Sequence, residues 1–170
     1  MTFRVRIVPL IGITVLALAA PRPGHAQVHF GPQVNWASND QGVGVGARVE
    51  ASLAKAIPSA KGLGVIASFD FFFPSSGVTF WEMNANGSYH FEIPNVKFAP
   101  YAGVGLDVAH WSASPCIQTN SCGSASSTDF GLNLLAGTNF PAMGKITPFV
   151  EVRLELRTEG AFVVSGGVLF

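Results

Sequence analysis

Charge in this chain is sorted by parity. From residue 28 onward apolar and polar side chains alternate with a period of two. Every charged residue inside an alternating segment stands on one phase: Arg48, Glu50, Asp70, Glu82, Glu92, Asp107, Asp129, Glu151, Arg153, Glu155 and Arg157. The opposite phase carries no charge and is dominated by Val, Leu, Ala and aromatic residues. Successive side chains of a strand point to opposite faces, so the pattern predicts sheet with one neutral apolar face and one ionic face. The alternation fills residues 28–37, 42–53, 62–73, 78–92, 98–110, 128–140, 146–158 and 161–170, and almost nothing repeats with the helical period. It is plainest at 146–158, where Ile146, Val150, Val152, Leu154 and Leu156 interleave with Thr147, Glu151, Arg153, Glu155 and Arg157.

The segment before this sheet reads as a secretory signal. Arg4 and Arg6 precede an uncharged apolar run at 7–20, then Pro21, Pro23 and the small residues Gly24 and Ala26. That order predicts a signal peptide over 1–26, cleaved before Gln27. The run falls short of the ~20 apolar residues a membrane helix needs. The expected exported domain is therefore 27–170. With Arg4, Arg6 and Arg22 removed, 7 basic residues face 10 acidic ones, and no basic run invites nucleic acid. Charged residues make up 12% of the whole chain, about half the usual share for a soluble domain. So much apolar surface must be hidden in a core or in lipid.

Turn chemistry separates the strands into two sets of connections. One set, 54–61, 93–97 and 141–145, holds Pro58, Pro94 and Pro141 and every lysine after residue 26: Lys55, Lys61, Lys97 and Lys145. The other set is 38–41, 74–77, 112–127 and 159–160, of which 112–127 is the longest and most polar. With both termini taken as periplasmic, the lysine-bearing set is periplasmic and the other is extracellular.

Alternation alone also suits a soluble secreted barrel or sandwich with an apolar core. Three features favour lipid on the apolar side. The charged face lacks lysine, which suits a lumen where Arg and carboxylates pair. Large aromatics gather at strand ends, Phe30, Phe91, Phe98, Phe140 and Phe170 at one and Trp36, Phe73, Trp81, Phe130 and Phe162 at the other, as girdles at two interfaces would. Strands near ten residues match a tilted span, and an open sheet edge cannot stand in lipid. The expectation is an all-β fold: an eight-stranded antiparallel up-and-down transmembrane β-barrel in the outer membrane of a Gram-negative bacterium.

Four segments, 98–106 (FAPYAGVGL), 129–140 (DFGLNLLAGTNF), 148–153 (PFVEVR) and 163–170 (VVSGGVLF), resemble the opacity-protein/OmpA-like family of small outer-membrane β-barrels. The resemblance implies an eight-stranded barrel lodged in outer-membrane lipid. It also implies partners in biogenesis, namely periplasmic chaperones and the outer-membrane assembly machinery, with Phe170 as part of the insertion signal. It does not select a ligand.

Few residues suggest chemistry. Cys116 and Cys122 share the 112–127 connection, and in an exported protein they predict a disulfide that staples a surface loop. A metal there would need further ligands, and His110 is the one nearby. His110-Trp111-Ser112 resembles the His-x-Ser pair of outer-membrane lipid A deacylases, but 113–128 offers no Asp or Glu to orient the histidine. An eight-stranded barrel is just wide enough to be filled by side chains. Arg48, Glu50, Asp70, Glu82, Asp107, Glu151, Arg153, Glu155 and Arg157 are therefore expected to form a luminal ion-pair network. Arg48 should meet Glu50 or Glu151, while Arg153 and Arg157 should reach Asp70, Glu82 and Asp107. No cofactor, metal or catalytic residue is expected. The expected role is a non-enzymatic scaffold whose 112–127 loop meets a host or environmental ligand. Alternatives are a narrow passive channel, a lipid A deacylase-like enzyme and a soluble secreted barrel.

Overall fold

A computed structural model of the chain describes residues 27–54, 57–74, 78–113, 116–117, 121–122 and 124–170. The signal expected over 1–26 lies outside the described residues. The strands are β1 (Gln27–Ala37), β2 (Gly42–Ser52), β3 (Leu63–Phe72), β4 (Val78–His90), β5 (Ala99–Ala113), β6 (Cys116–Ile117), β7 (Ser121–Cys122), β8 (Ala125–Asn139), β9 (Thr147–Leu156) and β10 (Ala161–Leu169). Eight of these close into one antiparallel barrel, in the order β1-β10-β9-β8-β5-β4-β3-β2, while β6 and β7 form a separate two-stranded hairpin. Each barrel strand pairs with its neighbours along the sequence, and the ring closes between β1 and β10. No edge is left unpaired, as a sheet in lipid requires.

The closing seam has a local irregularity with a clear cause. Pairing runs from Ala37↔Val163 down to Gln33↔Gly167 and stops at Pro32, which has no backbone N–H to give. It resumes in the same register at Phe30 and Phe170, where the Phe170 N–H donates to the Phe30 carbonyl at 2.9 Å. Gly31 sits in the gap because a Cβ there would lie 1.7 Å from the Val168 carbonyl oxygen.

Parity is obeyed along the barrel. Adjacent residues Val152 and Arg153 are 39% and 1% exposed. The expected girdle aromatics Phe30, Trp36, Phe73, Phe91, Phe98, Phe130, Phe140 and Phe162 are exposed on the outer wall, as is Phe170. Trp81 is half-buried between neighbours, stacked on Phe69 at 6.0 Å and on His110 at 5.2 Å. Further pairs mark both rims: Phe30–Phe170 and Tyr89–Phe91 at the end where β1 begins and β10 finishes, Phe71–Phe73 at the other. We call these the proximal and distal ends.

The structure corrects the expected extent of the 112–127 loop. Strands β5 and β8 continue past the other strands, pairing through Trp111↔Ser127 and Ser112↔Ser126 to Ala113↔Ala125. Small hydroxylated residues satisfy backbone partners there as a two-stranded ribbon, so much of the segment is sheet. The far ends of β4 and β9 move inward the most. β4 ends at His90 and leaves Glu92 exposed beyond it, and β9 ends at Leu156.

Candidate functional site

The lumen is filled in three tiers. Beneath the distal mouth lies an apolar cluster of Ala37, Phe72, Phe80, Ala109, Ala161 and Val163, with Trp111 packed against it. All face inward, and Phe72, Phe80, Ala109 and Trp111 stand two or four positions along their strands from Asp70, Glu82 and Asp107.

The middle tier is centred on Arg153. Its guanidinium donates to Glu82, and its Nε donates to Glu155 Oε1 at 3.0 Å. Asp70 and Glu151 lie 3.6 and 3.8 Å away, so four carboxylates surround one cation. Arg157 meets Asp107 at 2.7 Å, Glu155 at 2.8 Å and Glu82 at 3.4 Å. Its guanidinium lies 5.5 Å from the centre of the Phe80 ring, which joins this tier to the apolar one. Asp70 and Glu82 are direct cross-strand partners, an arrangement of like charges that is unfavourable without cations between them. Arg153 reaches both. Asp70 also accepts from Gln33 at 2.6 Å, Asn35 at 2.7 Å, Ser68 at 2.8 Å and Asn84 at 3.3 Å. Asn133 donates to Asn84 and Asn86, extending the polar tier across the barrel.

The proximal tier is centred on Arg48. It bonds Glu151 at 2.7 Å and lies 3.4 Å from Glu50. The Tyr101 hydroxyl accepts from Arg48 at 2.9 Å and donates to Glu151 at 3.0 Å. The guanidinium also lies 4.4 Å from the centre of the Phe149 ring, within cation–π range. Ile66, Tyr101 and Leu135 make a small apolar cluster beside it. At the proximal mouth His90 Nε2 stands 2.8 Å from Glu50 Oε1, and Asn139 donates to the same carboxylate at 3.1 Å.

The structure thus brings all nine expected network residues together. Three arginines serve six carboxylates, each of those nine side chains being 8% exposed or less. Burial of so many ions is tolerable because every one of them is paired; Asp107 has Arg157 alone, and the other eight have two or more partners. The sequence reading passed over the apolar members Ile66, Phe72, Phe80, Leu135, Phe149 and Leu169 and the amides Gln33, Asn35, Asn84, Asn86 and Asn133. The signal was present, since all share the charged parity. Glycine makes room for the ions: a Cβ on Gly46 would lie 2.0 Å from Asp70 Oδ1, and one on Gly131 would lie 2.3 Å from Asp107 Oδ1.

His110 and Ser112 are not luminal. They share the outer-wall parity of β5, and His110 Nδ1 meets the Thr128 hydroxyl at 2.9 Å, a partner that carries no charge. Cys116 and Cys122 are opposed in register in the β6–β7 hairpin, and their side chains lie outside the described residues. Among the described residues no cluster of His, Cys, Asp or Glu is arranged to hold a metal.

The distal mouth is a cavity of about 600 Å³ lined by Asn39, Asp40, Gln41, Pro74, Val78, Phe80, Trp111 and Glu159. Its rim is tied across the β1–β10 seam: the Asn39 amide donates to the Gly160 carbonyl, and the Phe162 N–H donates to the Ser38 hydroxyl at 2.9 Å. Asn39 and Asp40 adopt left-handed backbone, φ 58° and 62°, which suits a tight hairpin turn.

No family model matches the chain, and no curated protein matches it in sequence. Solved structures do match its fold. The N-terminal β-barrel domain of OprF from Pseudomonas aeruginosa is 18% identical with a TM-score of 0.61, over 86% of this chain and 96% of that one. Neisserial surface protein A is 17% identical with a TM-score of 0.57, over 85% and 97%. Ail, the attachment invasion locus protein of Yersinia pestis, is 16% identical with a TM-score of 0.55, over 85% and 97%. The chain therefore has the fold of small eight-stranded outer-membrane barrels.

Proposed function

We propose that the protein is an integral outer-membrane barrel without enzymatic activity, acting as an envelope-structural or surface-interaction scaffold through its distal turns. One observation carries the reading: the barrel is inside out relative to a soluble one. Its wall is apolar, with Val34, Val104, Leu106 and Phe130 each more than 60% exposed, while three arginines and six carboxylates are buried in the lumen. An apolar belt of that extent on a monomer needs lipid. The similarity in fold to outer-membrane barrels supports the location.

The same reading includes export by a signal over 1–26, delivery by periplasmic chaperones and insertion by the assembly machinery with Phe170 as part of the signal. It also includes a Cys116–Cys122 disulfide, for which opposed backbone positions give a suitable span, and a host or environmental ligand at 112–127. A passive channel is disfavoured because luminal side chains such as Arg153 and Glu82 are 1% or less exposed, whereas a water-filled pore wets its lining. A lipid A deacylase is disfavoured because Thr128 stands where the histidine would need an acid.

Membrane fractionation followed by detergent extraction tests the location. Recovery of the mature chain in outer membranes, released only by detergent and beginning at Gln27, is expected. A mature chain that stays soluble in the periplasm without detergent would refute it.

A further inference from the structure

We infer that the distal mouth binds a small organic cation with an aromatic or alkyl body, such as an arylalkylammonium or a guanidinium compound. The cavity has a floor and a rim of different chemistry. Its floor is Phe80 and Trp111, seated on the buried apolar cluster that closes the lumen below. A ligand can enter but cannot pass through. Its rim carries Asp40 and Glu159, both exposed, and neither joins an ion pair among the described residues.

Charge around this mouth is one-signed. The connections 38–41, 73–77, 112–127 and 158–160 contain no Lys and no Arg, while all four lysines after residue 26 fall in connections at the proximal end. Arg157 is the nearest cation, and it lies below the floor with its guanidinium committed to Asp107, Glu155 and Glu82. A cation entering from the distal side therefore meets carboxylates without competition. An anion meets repulsion with no compensating donor from a basic side chain.

Gln41 lines the cavity next to Asp40 and adds a polar side chain to its wall. One further observation points the same way. The tie across the β1–β10 seam from Asn39 to Gly160 holds the Asp40 turn against the Glu159 turn, so the two carboxylates stand together on the rim before any ligand arrives. Aromatic faces attract cations, most strongly where water is displaced. A concave apolar floor with a few convergent polar groups is the usual form of a small-molecule site.

The binding itself needs only the folded barrel; its availability to external ligands rests on the outward orientation given under Proposed function. Calorimetric titration of the folded protein in zwitterionic micelles, with protein-free micelles subtracted, tests it using 2-phenylethylammonium chloride. Neutral 2-phenylethanol and anionic 3-phenylpropionate serve as matched probes. Saturable one-to-one binding of the ammonium is expected, with the alcohol about tenfold weaker and the acid silent. Asp40→Asn with Glu159→Gln should weaken the ammonium about five- to tenfold and remove its salt dependence, leaving the alcohol unchanged. Trp111→Ala should weaken both, with folding of each variant checked by heat-modifiability on a gel. Equal binding of alcohol and ammonium, an unaffected double variant, or no saturable binding to the wild type would each overturn the inference. Orientation is read separately, by labelling Asp40→Cys, in a Cys116→Ser/Cys122→Ser background, with an impermeant maleimide on intact cells. Unlabelled cells would overturn the outward orientation and leave the binding result standing, so the two failures are distinguishable.

Discussion

Removing Arg153 should cost more than removing any other single side chain of the barrel interior. The guanidinium is 1% exposed and has Glu82, Glu155, Asp70 and Glu151 within 4 Å. In Arg153→Met the apolar stem is kept and the charge is lost. Glu151 would retain Arg48 at 2.7 Å, and Glu82 and Glu155 would retain Arg157 at 3.4 and 2.8 Å. Asp70 would have no cation left, only the neutral donors of Gln33, Asn35, Ser68 and Asn84. Breaking a buried pair from one side costs about 3–5 kcal/mol, because the abandoned charge stays desolvated. Urea titration of the protein refolded in detergent, followed by tryptophan fluorescence, measures the loss at pH 7. The penalty comes from a carboxylate that keeps its burial and loses its cation. Arg153→Lys keeps the charge without the planar fork and should recover only part of the loss. A deficit below about 0.5 kcal/mol at pH 7, the range of an exposed surface substitution, would refute the luminal network as a structural element.

Other perturbations separate the wall from the lumen. Val152→Arg should impair insertion by roughly 2–4 kcal/mol, read as lost heat-modifiability, since it sets a charge in the apolar belt. Gly131→Ala should displace Asp107 from Arg157, because the new Cβ would fall 2.3 Å from Asp107 Oδ1; a loss of about 1–3 kcal/mol in the same urea titration is expected. Tyr101→Phe, which removes the hydroxyl bridging Arg48 and Glu151, should cost about 1–3 kcal/mol there. Both cysteines of envelope-purified protein should resist alkylation until reduced, and Cys116→Ser with Cys122→Ser should leave the barrel folded.

Parity makes the architecture legible in the sequence itself. A period of two assigns a side to each residue, and the lysine-free charged phase together with aromatics at both strand ends says which side meets lipid. Strand ends were less legible. Expected 78–92 became β4 ending at His90, and expected 98–110 became β5 running on to Ala113. Alternation fades wherever a strand leaves the apolar belt, because both faces are then wetted. Ser126 and Ser127 look like loop by composition, yet they pair with β5 because a backbone ladder does not depend on side-chain polarity. The aromatics on the charged phase were hidden for the opposite reason. Phe72, Phe80 and Phe149 look like lipid-facing residues by type, and only strict counting assigns them inward.

Partner choice inside the lumen required closure, which no local pattern encodes. Arg48 stands on β2 and Glu151 on β9, and they are 2.7 Å apart only because β1 and β10 join between those strands. Arg157, just past the distal end of β9, meets Asp107 on β5 across β8, where Gly131 of β8 is paired directly with Asp107 and has no side chain to intervene. The register of β8 and the glycine at 131 thus decide an ion pair to which neither belongs. The distal mouth depends on closure in the same way. Asp40 and Glu159 are far apart in sequence, and the β1–β10 seam makes their turns neighbours, with the Asn39–Gly160 bond fixing the approach. A ring closed in a different register would keep every residue on its proper face and still lose both the carboxylate pair at the rim and the guanidinium knot below it. The apolar parity therefore accounts for where this chain resides, whereas the closing register accounts for what its interior and its mouth can hold.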